Sequence, residues 1–381
     1  RSPKFQRGCL NKMKIKKLSG IFLFFLVTLF LFSVSSYAKS YADDVKEIYD
    51  SLDSETQELL KDIGADTADF DSMFGVTPKK IWSLTKKLIT GNIEAPTRSV
   101  VRLIAVIILI AIFECFAPED TKIKTVVGIV GTLLCIISVI SPLSTAISSA
   151  VSSIAVGEKL MLALIPVLAA VVTATGNPTL AASFQSIAFA GAQIISGISN
   201  GYIVPIVGAV MALDITGSIM PSFKLGGITS LIKKTVTAVL TFVSTLFVSF
   251  LGIKGALANA ADTVASKGIK LVISSAVPVV GGALSEAYSG IIGSLVLVKS
   301  TIGIFGIAAV ALINLPSCLQ LLFWVFALRF SAAIGELFNQ QNIAELLRAL
   351  ASSLTLLNVV LLFNAVLFII STALILVIKA G

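Results

Sequence analysis

The 381-residue chain contains no histidine, four cysteines and only 13% charged residues. Without histidine, this chain cannot form a serine–histidine hydrolase site, a zinc helix of the H-E-x-x-H type or an imidazole proton relay. Cys115, Cys135 and Cys318 show no paired spacing, so we interpret them as small apolar thiols. The G-x-x-x-x-G-K-[ST] loop of nucleotide-binding proteins is also missing. We therefore predict a protein that is not an enzyme, with no catalytic residues, no metal and no cofactor.

What the chain has in abundance is apolar residues, at 56%. Soluble domains carry about 25% charged residues, roughly twice the share found here, so lipid is the predicted main solvent. The formal net charge of +8 could indicate nucleic acid. However, the lysines are scattered between apolar runs, where they suit control of membrane topology. The lipid bilayer is therefore a predicted partner, and nucleic acid is not.

The N-terminal part resembles a secretory signal. Lysines follow Met13, an apolar run occupies 18–34, and the small residues Ser36 and Ala38 come next. This order predicts a signal peptide that is cleaved after Ala38, with residues 1–12 lying upstream of it. The alternative is a first membrane anchor that stays attached, because the apolar core is close to spanning length. On both interpretations, the chain after Ala38 begins outside the cytoplasm.

Residues 39–97 form the predicted extracytoplasmic region, which is acidic and helical over its first part. Ser54 and Gln57 form a capping box, and Gly64 supplies a helix end. The acidic residues are interpreted as a solvated face. A calcium loop needs oxygen ligands at fixed alternating positions with a turn glycine, and that order is not found here.

The segment 77–90 reverses the charge. Pro78 suits the first helical position, and Ile81, Leu84 and Leu88 fall on one helical face. Basic residues and a tryptophan beside this face predict a helix lying in the membrane interface. The alternative is packing of the same helix against the acidic helices. The residues of this candidate interfacial helix are Lys79, Lys80, Trp82, Lys86 and Lys87.

Residues 98–381 are predicted to form a multi-span transmembrane domain, preceded by residues 1–38 and 39–97 as separate units. The fold class is all-α, a polytopic helical membrane protein. Most apolar runs are near the ~20 residues that cross a bilayer. The eight candidate spans are 100–116, 126–141, 160–175, 184–213, 235–253, 291–313, 316–335 and 353–378.

One stretch departs from a simple apolar span. Pro278 removes a backbone donor, and Gly281 and Gly282 loosen the helix further, which predicts a helix break at membrane depth. Lys299 lies in the span that follows. A lysine within a membrane costs ~2.5–3.5 kcal/mol on insertion scales, so an acidic partner such as Glu286 or an aqueous lining is expected.

Arg329 and Glu336 form a second candidate pair, because their spacing of about two helical turns places them on one face. Together with Glu286 and Lys299 they make up a predicted intramembrane polar seam. The alternative is that both glutamates mark water-exposed helix ends and that Lys299 extends to the membrane surface.

Several segments carry a family resemblance: LMLALIPVLAAVVTATG, SLIKK, FVSFLGIKGALANAADTVASKGIKLVISSAVPVVGGALSEA, GSLVLVKSTIG and INLPSCLQLL. Over most of residues 98–378 the chain resembles the stage III sporulation protein AE family of endospore-forming bacteria. The Pro-Val-Val-Gly-Gly-x-Leu-Ser-Glu-Ala segment is the most specific part. The residues 286–289, Glu-Ala-Tyr-Ser, depart from the acidic run expected after the glycines, which weakens any role for acidic side chains there.

The resemblance implies a membrane subunit of the channel complex between mother cell and forespore, required for continued forespore gene expression. It places the protein in the mother-cell membrane around the forespore. Implied partners are the other stage III sporulation A-operon proteins and stage II sporulation protein Q. The alternatives left open are a permease for a small solute and a non-conducting membrane anchor for partner proteins.

Overall fold

The structure is a computed structural model that describes residues 78–116, 121–219, 225–276 and 281–377, together with isolated positions between 50 and 58. These ranges are almost entirely helical and contain no strand. The elements are α1 (Pro78–Phe116), α2 (Thr121–Ala174), α3 (Pro178–Ile198), a π-helical turn (Ser199–Ile203), α4 (Val204–Ile219), α5 (Gly226–Ala276), α6 (Gly281–Leu337) and α7 (Gln341–Val377). The predicted all-α class is confirmed for this part of the chain.

Short connections join the long helices in an up-and-down order. At one end, Gln340 in the α6–α7 turn donates from Nε2 to Glu114 Oε2, near the end of α1, at 2.6 Å. At the opposite end, Asp262 of α5 binds the start of α3. We refer to these as the Gln340 end and the Asn177 end, after the residues in the turns that close them.

The α2–α3 turn shows why the chain reverses where it does. Gly176 adopts a positive φ of 84°, a conformation that favours glycine, and Pro178 then occupies the first position of α3. The Asp262 carboxylate accepts the Thr179 N–H at 3.2 Å and the Leu180 N–H at 2.7 Å. A carboxylate is favourable at the positive end of a helix dipole, so this buried aspartate anchors α5 to the start of α3.

Helices α6 and α7 form the centre of the bundle. No residue is exposed from 298 to 320 on α6 or from 360 to 376 on α7. Phe305 belongs to an apolar cluster toward the Asn177 end, and Trp324 belongs to a second cluster toward the Gln340 end. The other helices therefore surround this central pair in the half toward the Asn177 end, whereas residues 322–337 of α6 reach the surface in the other half.

The described residues contain six helices long and apolar enough to cross a membrane, where the sequence predicts eight spans. Two pairs of predicted spans merge, because 126–141 and 160–175 share α2, and 291–313 and 316–335 share α6. Both helices continue through prolines, at Pro142 and Pro166 in α2 and at Pro316 in α6. Neighbouring helices and hydroxyl side chains can satisfy the backbone groups that such prolines leave free.

Large exposed apolar side chains form a band in the half toward the Gln340 end. On α2 the band covers 123–140, which is ~26 Å at ~1.5 Å per residue and close to the ~30 Å hydrocarbon core. Similar stretches cover 101–116 on α1 and 322–337 on α6. Exposed large apolar residues in the other half are fewer on α1, α2 and α3, but on α5 they continue through Phe250, Ile253 and Leu257 to Val264. The band has the height and composition of a lipid-facing surface.

Beyond the band, the exposed surface of α2 changes character. From residue 141 to the end of the helix no large apolar side chain is exposed. Small and polar side chains take their place, among them Ser141, Ser144, Ser148 and Ser152. Since α2 is 54 residues long, or ~80 Å, it extends well beyond a single hydrocarbon core.

Several predictions concern residues outside this description. The predicted signal peptide within 1–38 and most of the region 39–97 lie outside the described residues. The predicted boundary between residues 97 and 98 falls inside α1. These predictions about domains and signal cleavage stay predictions.

Candidate functional site: the buried polar layer

Helices α2 and α6 meet through serine side chains. The Ser317 hydroxyl of α6 lies 3.0 Å from the Ser149 hydroxyl and 2.7 Å from the Ser153 hydroxyl, both on α2. Ser153 also donates to the Ser149 carbonyl at 3.1 Å. Small hydroxyl residues let two helices approach closely and still exchange hydrogen bonds in an apolar surrounding. This contact lies ~14–20 Å beyond the level where the lipid-facing band of α2 ends at Ile140.

The π-helical turn brings a second hydroxyl into the interior. Pro205 cannot donate a backbone N–H, and its ring would clash with the carbonyl four residues before it in a regular α-helix. The backbone widens instead, so that the Val204 N–H reaches the Ser199 carbonyl. Ser199 is fully buried there and accepts a hydrogen bond from Asn364 Nδ2 of α7 at 3.0 Å. Single π turns are frequent at functional sites.

A carboxylate joins the same level from α2. The Ser196 hydroxyl donates to Glu158 Oε2, and Asn200 Nδ2 donates to the Ser196 hydroxyl at 3.3 Å. Next to Glu158, Gly157 lies close to the Asn314 side chain of α6.

Asparagines of the central pair complete the set. Asn314 Nδ2 donates to the Val310 carbonyl at 2.7 Å, and the Asn358 side chain of α7 is buried. We refer to the whole group as the polar layer. Its members are Ser149, Ser153, Glu158, Ser196, Ser199, Asn200, Asn314, Ser317, Asn358 and Asn364.

The polar layer has unused hydrogen-bonding capacity. Within the described part of the chain, the Oδ1 atoms of Asn200, Asn314, Asn358 and Asn364 are buried and accept no hydrogen bond. A buried acceptor without a donor costs about 1–3 kcal/mol. Asn177 and Asn259, outside the layer, also have buried Oδ1 atoms without a donor among the described residues. What distinguishes the layer is that four such oxygens lie on the π-helical turn, α6 and α7, where ordered water can bind them.

A charged cluster lies nearer the Gln340 end. Lys233 Nζ of α5 donates to Asp214 Oδ2 of α4 at 2.9 Å and to the Ala349 carbonyl of α7 at 3.3 Å. The Ser353 hydroxyl of α7 donates to the same Asp214 oxygen at 2.9 Å. The Asp214 side chain is only 3% exposed. Three helices are therefore joined through one buried carboxylate.

The residues predicted for the polar seam are spread along α6. Lys299 is buried toward the Asn177 end, whereas Arg329 is exposed in the half with the lipid-facing band. Their separation along the helix corresponds to ~45 Å at ~1.5 Å per residue. Glu336 is exposed and pairs with Arg348 across the α6–α7 turn. The side chain of Glu286 lies outside the described residues, although its backbone is part of α6.

The residues of the predicted helix break lie at the α5–α6 connection. Helix α5 ends at Ala276 and α6 begins at Gly281, so Gly281 and Gly282 form the first turn of α6. Pro278 lies outside the described residues. In the structure, the helical stretch of α5 that is apolar enough to cross a membrane ends at Lys267. The corresponding stretch of α6 begins at Leu295, on the other side of this connection. A role for the break stays a prediction.

The candidate interfacial helix is the beginning of α1, which starts at the predicted Pro78 and continues to Phe116. Leu88, on the predicted apolar face, is buried in the cluster toward the Asn177 end. Lys86 is exposed, whereas the side chains of Lys79, Lys80, Trp82 and Lys87 lie outside the description. Membrane binding by this segment stays a prediction.

Comparison with known proteins identifies the family. The family model described as stage III sporulation protein AE matches residues 65–379, which is more than half of the chain. The chain belongs to the stage III sporulation protein AE family. The matched region contains all of α1 to α7, so the polar layer and the charged cluster both lie inside it.

A curated relative supports the same family. The chain is 24% identical over 240 residues to stage III sporulation protein AE of Bacillus subtilis (strain 168), and the match covers 61% of this chain and 60% of the relative. The chain thus matches less than two thirds of the relative's length. No solved structure matches the chain. Together with the six apolar helices, the family makes this chain a multi-pass membrane protein of sporulation.

The sequence analysis did not identify the charged cluster or the polar layer. Asp214 could have been recognised from the sequence as a candidate site residue, because an acidic residue within an apolar run normally has a partner. The asparagines of the polar layer were harder to find. A single Asn among apolar residues does not show which helices it will face, so only the packed bundle reveals the layer.

Proposed function

We propose that this protein is a membrane subunit of a transenvelope channel or secretion-like complex that links mother cell and forespore. In this proposal it resides in the mother-cell membrane around the forespore and is required for continued forespore gene expression. Its partners are the other stage III sporulation A-operon proteins and stage II sporulation protein Q. Family membership supports the setting. The polar layer through the central helices is the structural observation that carries the proposal.

The orientation we propose follows from the predicted signal peptide. If the chain after Ala38 begins outside the cytoplasm, α1 starts outside and its far end, near Glu114, is cytoplasmic. The basic residues Lys122 and Lys124, just after the first connection, fit a cytoplasmic Gln340 end. The half toward the Asn177 end then projects into the space between the two membranes. Its small polar surface on α2 suits contact with other proteins.

This orientation makes a labelling prediction. In non-sporulating cells that express the protein in their cell membrane, with its native cysteines replaced by serine, Thr179→Cys should react with a membrane-impermeant maleimide on intact cells, whereas Asn342→Cys should react only after permeabilisation. Both native side chains are exposed, one at each end of the bundle, so access to the reagent decides the result. Labelling of Asn342→Cys alone on intact cells would reverse the orientation.

The role of the polar layer is tested by a paired substitution. Asn364→Leu together with Ser199→Ala removes both partners of one hydrogen bond, so the free energy of unfolding should change by less than about 1 kcal/mol. Forespore reporter expression should nevertheless fall strongly, because the layer loses a donor and two acceptors. The control is Ser144→Ala on the exposed surface of α2.

The same strains separate the alternatives. Partner capture from sporulating cells, followed by flux measurements on the assembled complex, should show intact assembly and reduced flux for the paired variant. Solute transport by the purified protein alone would instead support a permease. Normal forespore expression with normal partner capture would support a non-conducting anchor and contradict a working role for the polar layer.

A further inference from the structure

A groove opens on the surface between α5 and α7, with one residue of α6 at its margin. Its volume is ≈ 810 Å³. It lies in the half of the bundle that carries the lipid-facing band. The part of the lining that belongs to α5 includes Lys234, Thr237, Thr241 and Phe242, while α6 contributes Arg329. This groove is separate from the polar layer in the interior.

The charge of the groove is one-sided. Lys233, Lys234 and Arg329 line it, and no acidic residue does. Lys233 is already bound to Asp214, but neither Lys234 nor Arg329 forms an ion pair within the described part of the chain. Both of these side chains are exposed. The groove therefore presents two cationic groups that are available to an anion.

The surroundings of these cations are apolar. Phe242 is 63% exposed on the α5 wall, and Phe326 and Phe330 are exposed next to Arg329 on α6. Leu356 and Val359 of α7 form the opposite wall. A cationic side chain on a lipid-facing surface is costly unless an anionic or hydrated group meets it. The ligand that suits this surface combines an anionic head with apolar chains.

The threonine hydroxyl groups of the groove do not compete for this role. Thr237 donates to the Lys233 carbonyl at 2.9 Å, and Thr241 donates to the Thr237 carbonyl at 2.8 Å. Their protons are used within α5, and Thr245 and Thr355 likewise donate within their own helices. The donors left for an anion are therefore the two cations and the Ser352 hydroxyl of α7. A neutral or zwitterionic head would gain less from the cations than an anionic one.

We propose that this groove is a binding site for an anionic phospholipid. The phosphate lies between Lys234 and Arg329, and an acyl chain runs along Phe242, Leu356 and Val359. Charge complementarity and the position within the apolar band are the reasons for choosing a lipid. The proposal is independent of what the complex conducts.

The test titrates the purified full-length protein with phosphatidylglycerol or phosphatidylcholine and counts bound lipids by native mass spectrometry. Lys234→Gln with Arg329→Gln should weaken phosphatidylglycerol binding at least about thirtyfold, because a cation near the membrane surface contributes about fivefold and these two lie within the apolar band, where charges are less screened. Phosphatidylcholine binding should be unchanged. The charge-matched control is Lys254→Gln with Arg102→Gln, two exposed cations outside the groove, which should change binding less than about twofold.

Lys234→Arg keeps the charge and should retain binding, which separates a lost contact from a misfolded protein. Equal phosphatidylglycerol binding by the groove variant and the parent would overturn the proposal. An equal loss in the control pair would overturn it too, since only general surface charge would then be at work. Displacement of the lipid by inorganic phosphate alone would assign the groove to a soluble anion instead.

Discussion

Replacing Asp214 by asparagine is expected to lower the free energy of unfolding by about 3–5 kcal/mol. The substitution removes the carboxylate that Lys233 of α5 and Ser353 of α7 both contact, and it leaves a lysine charge largely buried without its partner. Denaturant titration of the protein in detergent micelles, followed by circular dichroism, measures the change. Membrane abundance in cells should fall in parallel.

Two further variants test whether the loss comes from the unpaired buried charge. Glu345→Gln removes an exposed carboxylate from α7 and should shift stability by no more than about 0.5 kcal/mol. The double variant Asp214→Leu with Lys233→Met should be destabilised much less than Asp214→Asn, because an apolar pair often replaces a buried ion pair at little cost. If Asp214→Asn is as stable as the parent, the three helices are not held together through this carboxylate.

The second large effect is expected at Gly191, where α3 packs on α5. A Cβ atom at this position would overlap the ring of Phe247, lying 2.7 Å from its Cδ2 and Cζ atoms. Gly191→Ala should therefore destabilise the protein by about 1–3 kcal/mol, although alanine is the better helix former. The same denaturant titration measures the loss.

Gly197→Ala is the matched control on the same helix. Nothing lies within 4 Å of the added Cβ at Gly197, so this substitution should be neutral or stabilising by up to about 1 kcal/mol. Shortening the opposing side chain by Phe247→Leu should reduce the cost of Gly191→Ala, giving a double-mutant coupling energy. Similar losses for the two glycine substitutions would show that close α3–α5 contact is not required.

The helical class and the start of α1 could be predicted from the sequence because they depend on local signals. Pro78 at a first helical position and sustained apolar composition need no knowledge of neighbours. Two pairs of candidate spans share one helix in the structure, for a physical reason. The serine-rich stretch around Ser149 looks like a connection by composition, but its hydroxyls bond to Ser317 and the helix continues through it.

The predicted site differed more from the structure than the predicted fold did. Charge patterns drew attention to Lys299, Arg329 and Glu336, which lie far apart along α6 or at its turn with α7. The layer at the centre is made mainly of neutral residues. Its composition depends on which helices meet at one level, for example Asn364 opposite Ser199, and such long-range pairing leaves no periodic mark in the sequence.

The widened turn at Ser199–Ile203 also sets the angular phase between α3 and α4. In an α-helix each residue turns the chain by about 100°, so a turn holding one extra residue offsets everything that follows it by that angle. Ser196 points to Glu158 on one side of the turn, and Asp214 points to Lys233 on the other. The number of residues between Ser196 and Asp214 must therefore be kept if both contacts are to form. Losing a single residue there would rotate the aspartate away from its lysine, even if every side chain in the segment kept its identity.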